Sequence, residues 1–178
     1  MINLQIHKET WPLFKSFNIS RSSITESLVL VVEIQDGAFV GRGECEPHEN
    51  DTAVMDSAAA LIEGIRSQIE EGLSREALQS LLPAGPARNA VDCALWDLEA
   101  KKSGTRAWDL AGINLNTPLV TAYTISINSP EEMAAEAKTH CHRSLLKVKL
   151  GKEGSLARIK AVRGAAPDAT IIVDANEA

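Results

Sequence analysis

Two short segments carry the side chains best suited to chemistry. Lys147-Val148-Lys149 lies inside the apolar run Leu145 to Leu150, and Asp174-Ala175-Asn176 closes the run that begins at Thr170. In a strand, side chains at i and i+2 share a face, so both ammonium groups emerge together. Two nearby cations depress one another's pKa, which lets a lysine serve as a base near neutral pH. Asp174 ends the next strand and would stand in the same crevice. A carboxylate there is a hard-cation ligand, and Mg²⁺ takes only one or two carboxylates from a protein. A base beside a Lewis acid suits removal of a proton α to a carboxylate, with the cation stabilising the enolate. Each segment also has a plain structural reading. The lysines would face solvent from an edge strand, and Asp174 or Asn176 would cap a following helix.

Other residues carry less. His140-Cys141-His142 falls at the end of a helical pattern, where a protonated histidine complements the helix dipole. Arg21 can pair with an acidic substrate group through its planar fork. His48 reads as a surface residue or a substrate contact, and Cys93 and Trp96 as core. No GxGxxG, Walker A or GxSxG pattern occurs, which removes the usual support for nucleotide-phosphate and serine-hydrolase readings.

The elements that must position these groups fall into two parts. In the first, Met1 to His7 alternates as a strand, and Leu28 to Ile34 and Ala38 to Cys45 flank Asp36-Gly37 as a hairpin. Polar stretches Thr10 to Thr25 and Glu46 to Thr52 read as loops. Val54, Ala58, Leu61, Ile62, Ile65 and Ile69 recur at helical spacing, which predicts one amphipathic helix from about Ala53 to Glu71. A short helix capped by Ser74 must stop near Leu82, because Pro83 disfavours helical geometry in its predecessor. Pro86 to Ser103 is a third helix, ended by Gly104.

From Thr117 the pattern changes to strand, helix, strand, helix, strand: Leu119 to Ile127, a helix to about His140, Leu145 to Leu150, Gly154 to Gly164, and Thr170 to Asp174. Ser129 caps the first of these helices, with Pro130 at its first position and Glu132 closing a capping box. Such alternation marks parallel βαβ units. Three parallel strands suit the start of a (β/α)₈ barrel, which takes about 250 residues, and equally half of an open sheet. Ala178 lies four residues beyond the third strand, so the sequence reads as cut short.

Composition narrows the class of partner. Eighteen basic against 24 acidic side chains leave a formal charge of −6, with no basic cluster to neutralise nucleic-acid phosphates. Apolar runs such as Leu28 to Val32 fall far short of the ~20 residues of a membrane helix, and Met1 to Trp11 lacks a signal-peptide core. Cys45, Cys93 and Cys141 are odd in number and form no CxxC pair, as reduced thiols of a cytoplasmic protein would.

The order of these segments resembles the enolase superfamily, its muconate-lactonizing subgroup, and within it the dipeptide epimerases. The resemblance runs the length of the chain. It rests on Glu9-Thr10-Trp11-Pro12-Leu13, Gly41-Arg42-Gly43-Glu44-Cys45, Leu82-Pro83-Ala84-Gly85-Pro86-Ala87-Arg88-Asn89-Ala90, Asp92-Cys93-Ala94-Leu95-Trp96-Asp97-Leu98, Leu145 to Leu150, and Ile172-Val173-Asp174-Ala175-Asn176-Glu177. It implies an α+β capping domain over residues 1–116. Residues 117–178 would then be the first three strands and two helices of a (β/α)₇β TIM-like barrel. It also implies Mg²⁺, with Mn²⁺ accepting the same oxygen chemistry.

By the same resemblance Lys149 is the acid/base on one face of the α-carbon, Lys147 holds the substrate carboxylate, and Asp174 is the first metal ligand with Asn176 beside it. Thr124 contacts substrate, and Arg21 meets the acidic side chain of a small dipeptide of the L-Ala-D/L-Glu type from murein peptide. An assembly of identical chains is compatible with this. The remaining metal carboxylates and the opposite-face lysine lie on later barrel strands in that family. Cycloisomerisation or dehydration could use the same enolate, a Schiff-base aldolase could use the same lysine, and a non-catalytic fragment would use neither. Epimerisation removes a proton from one face and returns it on the other, so one lysine cannot complete it. A sample verified by mass to contain only these 178 residues is therefore expected to be inactive, with no Mg²⁺-dependent turnover; measurable epimerisation by it would sink the two-base scheme.

Overall fold

The computed structural model describes residues 1–19, 22–47, 51–113 and 118–175. They form two compact units, Met1–Pro12 with Glu26–Asn116, and Leu13–Thr25 with Thr117–Ala178.

The first unit is a three-stranded sheet backed by helices. Strands β1 (Ile2–Asn18), β2 (Ser23–Asp36) and β3 (Phe39–Cys45) lie in the order β1-β2-β3. The hairpin over Asp36-Gly37 forms as the sequence implies, with Asp36 opposite Phe39, Leu30 opposite Cys45, and Gly37 at φ +61° in the two-residue turn. The polar stretch after residue 10 is different. It reads as loop because its side chains are mostly exposed, yet β1 continues to Asn18 and β2 starts at Ser23. The two strands are hydrogen-bonded neighbours, and the Ile19 N–H donates to the Ser22 carbonyl at 2.9 Å between them. Ladder bonds are satisfied by backbone, so a two-stranded ribbon needs no apolar side chains.

The single helix expected over 53–71 is two: α1 (Thr52–Glu63) and α2 (Arg66–Glu70). The break falls at Gly64, the weakest helix former in the run; Leu61 is exposed, while Met55, Ala58, Ile62, Ile65 and Ile69 are buried. Helix α3 (Arg75–Leu81) starts where Ser74 Oγ accepts from the Ala77 N–H at 3.1 Å. Helix α4 (Pro86–Ser103) ends at Gly104, whose φ of +66° suits glycine. A four-residue turn, α5 (Ala107–Leu110), follows. Of the two residues read as core on α4, Cys93 is exposed and Trp96 is half-buried beneath Arg75, whose guanidinium lies 3.4 Å from its ring centroid.

Helix α4 lies unusually close to β3, which explains the Gly41-x-Gly43 spacing. A Cβ on Gly41 would come within 2.2 Å of the Ala94 carbonyl oxygen, and one on Gly43 within 2.1 Å of that of Ala90. The core is completed by Leu30, Val32, Ile34, Ala90, Val91 and Ala94.

The second unit is a parallel sheet in the order β4-β5-β6: β4 (Tyr123–Ile125), β5 (Leu145–Lys149) and β6 (Thr170–Asp174). Helices α6 (Pro130–Thr139) and α7 (Ser155–Ala165) connect them. The capping box at Ser129 and Glu132 is present in both directions. Strand β4 is shorter than the run Leu119 to Ile127 suggests, and Leu119 and Val120 are exposed. One sheet face packs Ile125, Leu146 and Val148 on Met133 and Ala137 of α6 and Val162 of α7. Among the described residues, no helix is long and apolar enough to cross a membrane.

The β3–α4 contact generates a test. Gly43→Ala must displace backbone and should cost at least about 3 kcal/mol, whereas Gly37→Ala, with open space around it, should cost only about 1 kcal/mol through its positive φ. Urea unfolding of both variants measures the difference, and equal losses would contradict the close approach.

Candidate active site

Parallel register fixes which side chains meet. Thr124 pairs with Lys147 across β4 and β5, Lys147 with Ile172, and Lys149 with Asp174 across β5 and β6. Partners in register point to the same sheet face, so Thr124, Lys147, Lys149 and Asp174 share the face opposite the helices. Strand β5 is the central strand, which overturns the reading of two lysines on an edge. Asp174 Oδ2 lies 2.8 Å from Lys147 Nζ and 2.9 Å from Lys149 Nζ. Lys149 is the more enclosed, its side chain 12% exposed against 35% for Lys147 and 29% for Asp174. The ring of Phe17 helps to enclose it, with its centroid 5.5 Å from Nζ.

The donor chemistry fits a hard cation. Asp174 offers carboxylate oxygen at the C-terminal end of a parallel strand, where such sheets place their sites. Among the described residues no three His, Cys, Asp or Glu side chains gather into a metal cluster. The Asp174 carboxylate is an oxygen donor of the kind Mg²⁺ takes.

Thr124 stands beside Lys147, as its placement on the first parallel strand requires, and is half-buried. Arg21, His48 and Asn176 lie outside the described residues. His140 is the C-cap of α6; its ring stacks on Tyr123 at 3.7 Å and its Nε2 lies 3.6 Å from Glu136. Burial holds its pKa below the ordinary value despite Glu136, with Arg143 and Lys15 adding to the depression. It is thus engaged in packing. Phe17 is the neighbour of Lys149 that sequence reasoning missed. It sits in a stretch read as loop, and no local signal places it beside a lysine so far along the chain.

A cavity of about 760 Å³ in the first unit is lined by Glu9, Trp11, Arg42, Glu44, Asn89 and Cys93 among others. It contains none of the lysine–aspartate cluster, and its acidic wall offers little to an acidic substrate.

This fold has known counterparts. Residues 1–112 match the mandelate racemase / muconate lactonizing enzyme N-terminal domain. The chain belongs to that family, and the matched residues 1–112 are an N-terminal capping domain of the enolase type. Among curated relatives, the L-Ala-D/L-Glu epimerase of Escherichia coli K12 is 45% identical over 183 residues, covering 99% of this chain and 56% of the relative.

Two solved structures extend the comparison. An enolase family member from Agrobacterium tumefaciens with homology to dipeptide epimerases, holding sodium and L-Ala-L-Glu, superposes with a TM-score of 0.88 at 45% identity. It is covered over 54% of its length, and 99% of this chain is matched. The dipeptide epimerase of Enterococcus faecalis V583, complexed with Mg and L-Leu-L-Tyr, gives a TM-score of 0.83 at 27% identity, covering 98% of this chain and 53% of that one. The chain spans about half the length of these relatives.

Asp174 is the charge that lets the two lysines coexist. Asp174→Asn should destabilise the protein by about 1–3 kcal/mol, with Asp174→Asn/Lys147→Met recovering part of the loss. Denaturant midpoints at low and high salt provide the readout; an unchanged midpoint in the single variant would contradict a structural ion triad.

Proposed function

We propose that this protein is an isomerase of the dipeptide epimerase type. It would invert the α-carbon of the second residue in a dipeptide such as L-Ala-L-Glu, in murein-peptide metabolism in the cytoplasm. The observation that carries the reading is the cluster of Lys147, Lys149 and Asp174 on one face at the C-terminal ends of adjacent parallel strands. The names of the similar proteins support it: an L-Ala-D/L-Glu epimerase, and dipeptide epimerases with Mg and dipeptide bound. We also propose that residues 1–116 form the capping domain and 117–178 the beginning of a (β/α)₇β barrel.

Lys149 is the acid/base in this scheme. Its Nζ takes the α-proton from one face, and the Phe17 ring, its centroid 5.5 Å from Nζ, lies over it. Lys147, more exposed and one step back along the strand, faces the substrate carboxylate as the matching cation. Thr124, level with Lys147, offers a hydroxyl to the same end of the substrate. Asp174 would hold Mg²⁺, which when bound supplies Lewis-acid stabilisation of the charge that develops on the substrate carboxylate. Asn176 would orient Asp174, and Arg21 would meet the substrate's acidic side chain. By the family resemblance, a lysine of a later strand returns the proton on the opposite face.

The test is α-proton exchange of L-Ala-L-Glu in D₂O, followed by NMR with and without a chelator. In a protein that also carries the later barrel strands, wild type should incorporate deuterium only with Mg²⁺ or Mn²⁺, and Lys149→Gln should lose it by about 10²–10⁴-fold. A wild-type protein that binds Mg²⁺ but leaves the α-proton in place would sink the reading.

A further inference from the structure

The segment Leu13–Thr25 belongs to the same compact unit as the parallel sheet, and two attachments hold it there. At the first, Lys15 and the Tyr123 hydroxyl both donate to Glu136 of α6, and Lys15 also donates to the Tyr123 hydroxyl at 3.1 Å. The Tyr123 ring is held in turn, stacked on His140 and 5.1 Å from the Arg143 guanidinium. At the second, the Ile127 N–H donates to the Asn18 carbonyl at 3.2 Å, and Asn18 Nδ2 donates to Asn128 Oδ1 at 3.3 Å. Phe17 lies between these two points, over Lys149.

We propose that Glu136, with Lys15 and Tyr123, is a positioning latch that fixes the 13–18 stretch along the outer edge of β4 and so sets Phe17 over Lys149. The latch rests on the proposed role of Lys149 only for its catalytic meaning; its mechanical role stands on the contacts themselves. Charge-assisted bonds are about twice as strong as neutral ones, so the Glu136 end dominates over the amide clasp at Asn18. Glu136 is only 27% exposed, which limits screening of the pair. Burial pushes the Glu136 carboxyl up, but the bonds from Lys15 and Tyr123 more than offset this and hold it below the usual carboxylate value. Burial likewise pulls Lys15 down, and its bonds to Glu136 and Tyr123 leave it raised. The ring–ammonium contact at 5.5 Å is too weak by itself to order a strand end. Glu136 touches neither Lys149 nor Asp174 in this arrangement; it acts through the segment that Lys15 carries.

Amide hydrogen exchange read by mass spectrometry tests the latch directly. Lys15→Met and Glu136→Gln should each speed exchange in residues 13–18, by about tenfold for Lys15→Met, while β5 and α7 keep wild-type protection. Lys15→Arg should restore the slow exchange. In steady-state assays with L-Ala-L-Glu on a protein that also carries the later barrel strands, Lys15→Met should raise KM more than it lowers kcat, and Lys15→Arg should return both. Unchanged exchange at 13–18 in both latch variants overturns the proposal, as does uniform loosening of β5 and α7, which would make Glu136 a general structural residue. If wild type shows no turnover, the functional reading fails while the exchange data still decide the latch.

Discussion

Everything about the candidate site turns on one carboxylate shared by two ammonium groups. Lys147 and Lys149 must share a face because strand side chains alternate, and with both Nζ atoms within 2.9 Å of one oxygen their mutual repulsion at an effective dielectric near 20 is at least about 3 kcal/mol. Each gains about 6 kcal/mol of gross attraction to an oxygen at 2.8–2.9 Å on the same scale. Attraction therefore wins, though desolvation reduces the net. The register of β5 and β6 brings Asp174 level with Lys149, and a shift of one residue would turn the aspartate to the helix side. That register is held by apolar packing behind the sheet, where Val148 and Leu146 meet α6 and α7.

The first unit obeys a different constraint. Its core depends on a helix lying almost in contact with a strand, made feasible by glycine at 41 and 43 and alanine at 90 and 94. The motif Gly41-Arg42-Gly43 is thus a packing device, and polar groups reinforce it. Asn89 donates to the Glu44 carbonyl at 3.1 Å, and Asp97 accepts from the Arg42 N–H at 2.8 Å. The long β1–β2 hairpin contributes to both units, with its base in the first sheet and Leu13–Thr25 beside the parallel strands.

The sequence by itself determined whatever depends on local periodicity and capping. The hairpin at Asp36-Gly37, the helix over Pro86–Ser103, the capping box at Ser129 and the parallel strands ending at Lys149 and Asp174 all follow from neighbours within a few residues. Lys147, Lys149 and Asp174 were legible as candidates for the same reason, because strand spacing alone puts the first two on one face. The break at Gly64 and the strand character of residues 10–18 were not legible. A glycine is tolerated in many helices, and a polar ribbon has the composition of a loop.

Only the tertiary structure decided that β5 is central, that Asp174 meets both lysines, and that Phe17 and the Glu136 network gather around β4. These contacts join residues separated by 25 to more than 120 positions. Nothing in the local sequence encodes the pairing; it is set by which apolar faces bury one another, and the polar groups are carried into place by that burial.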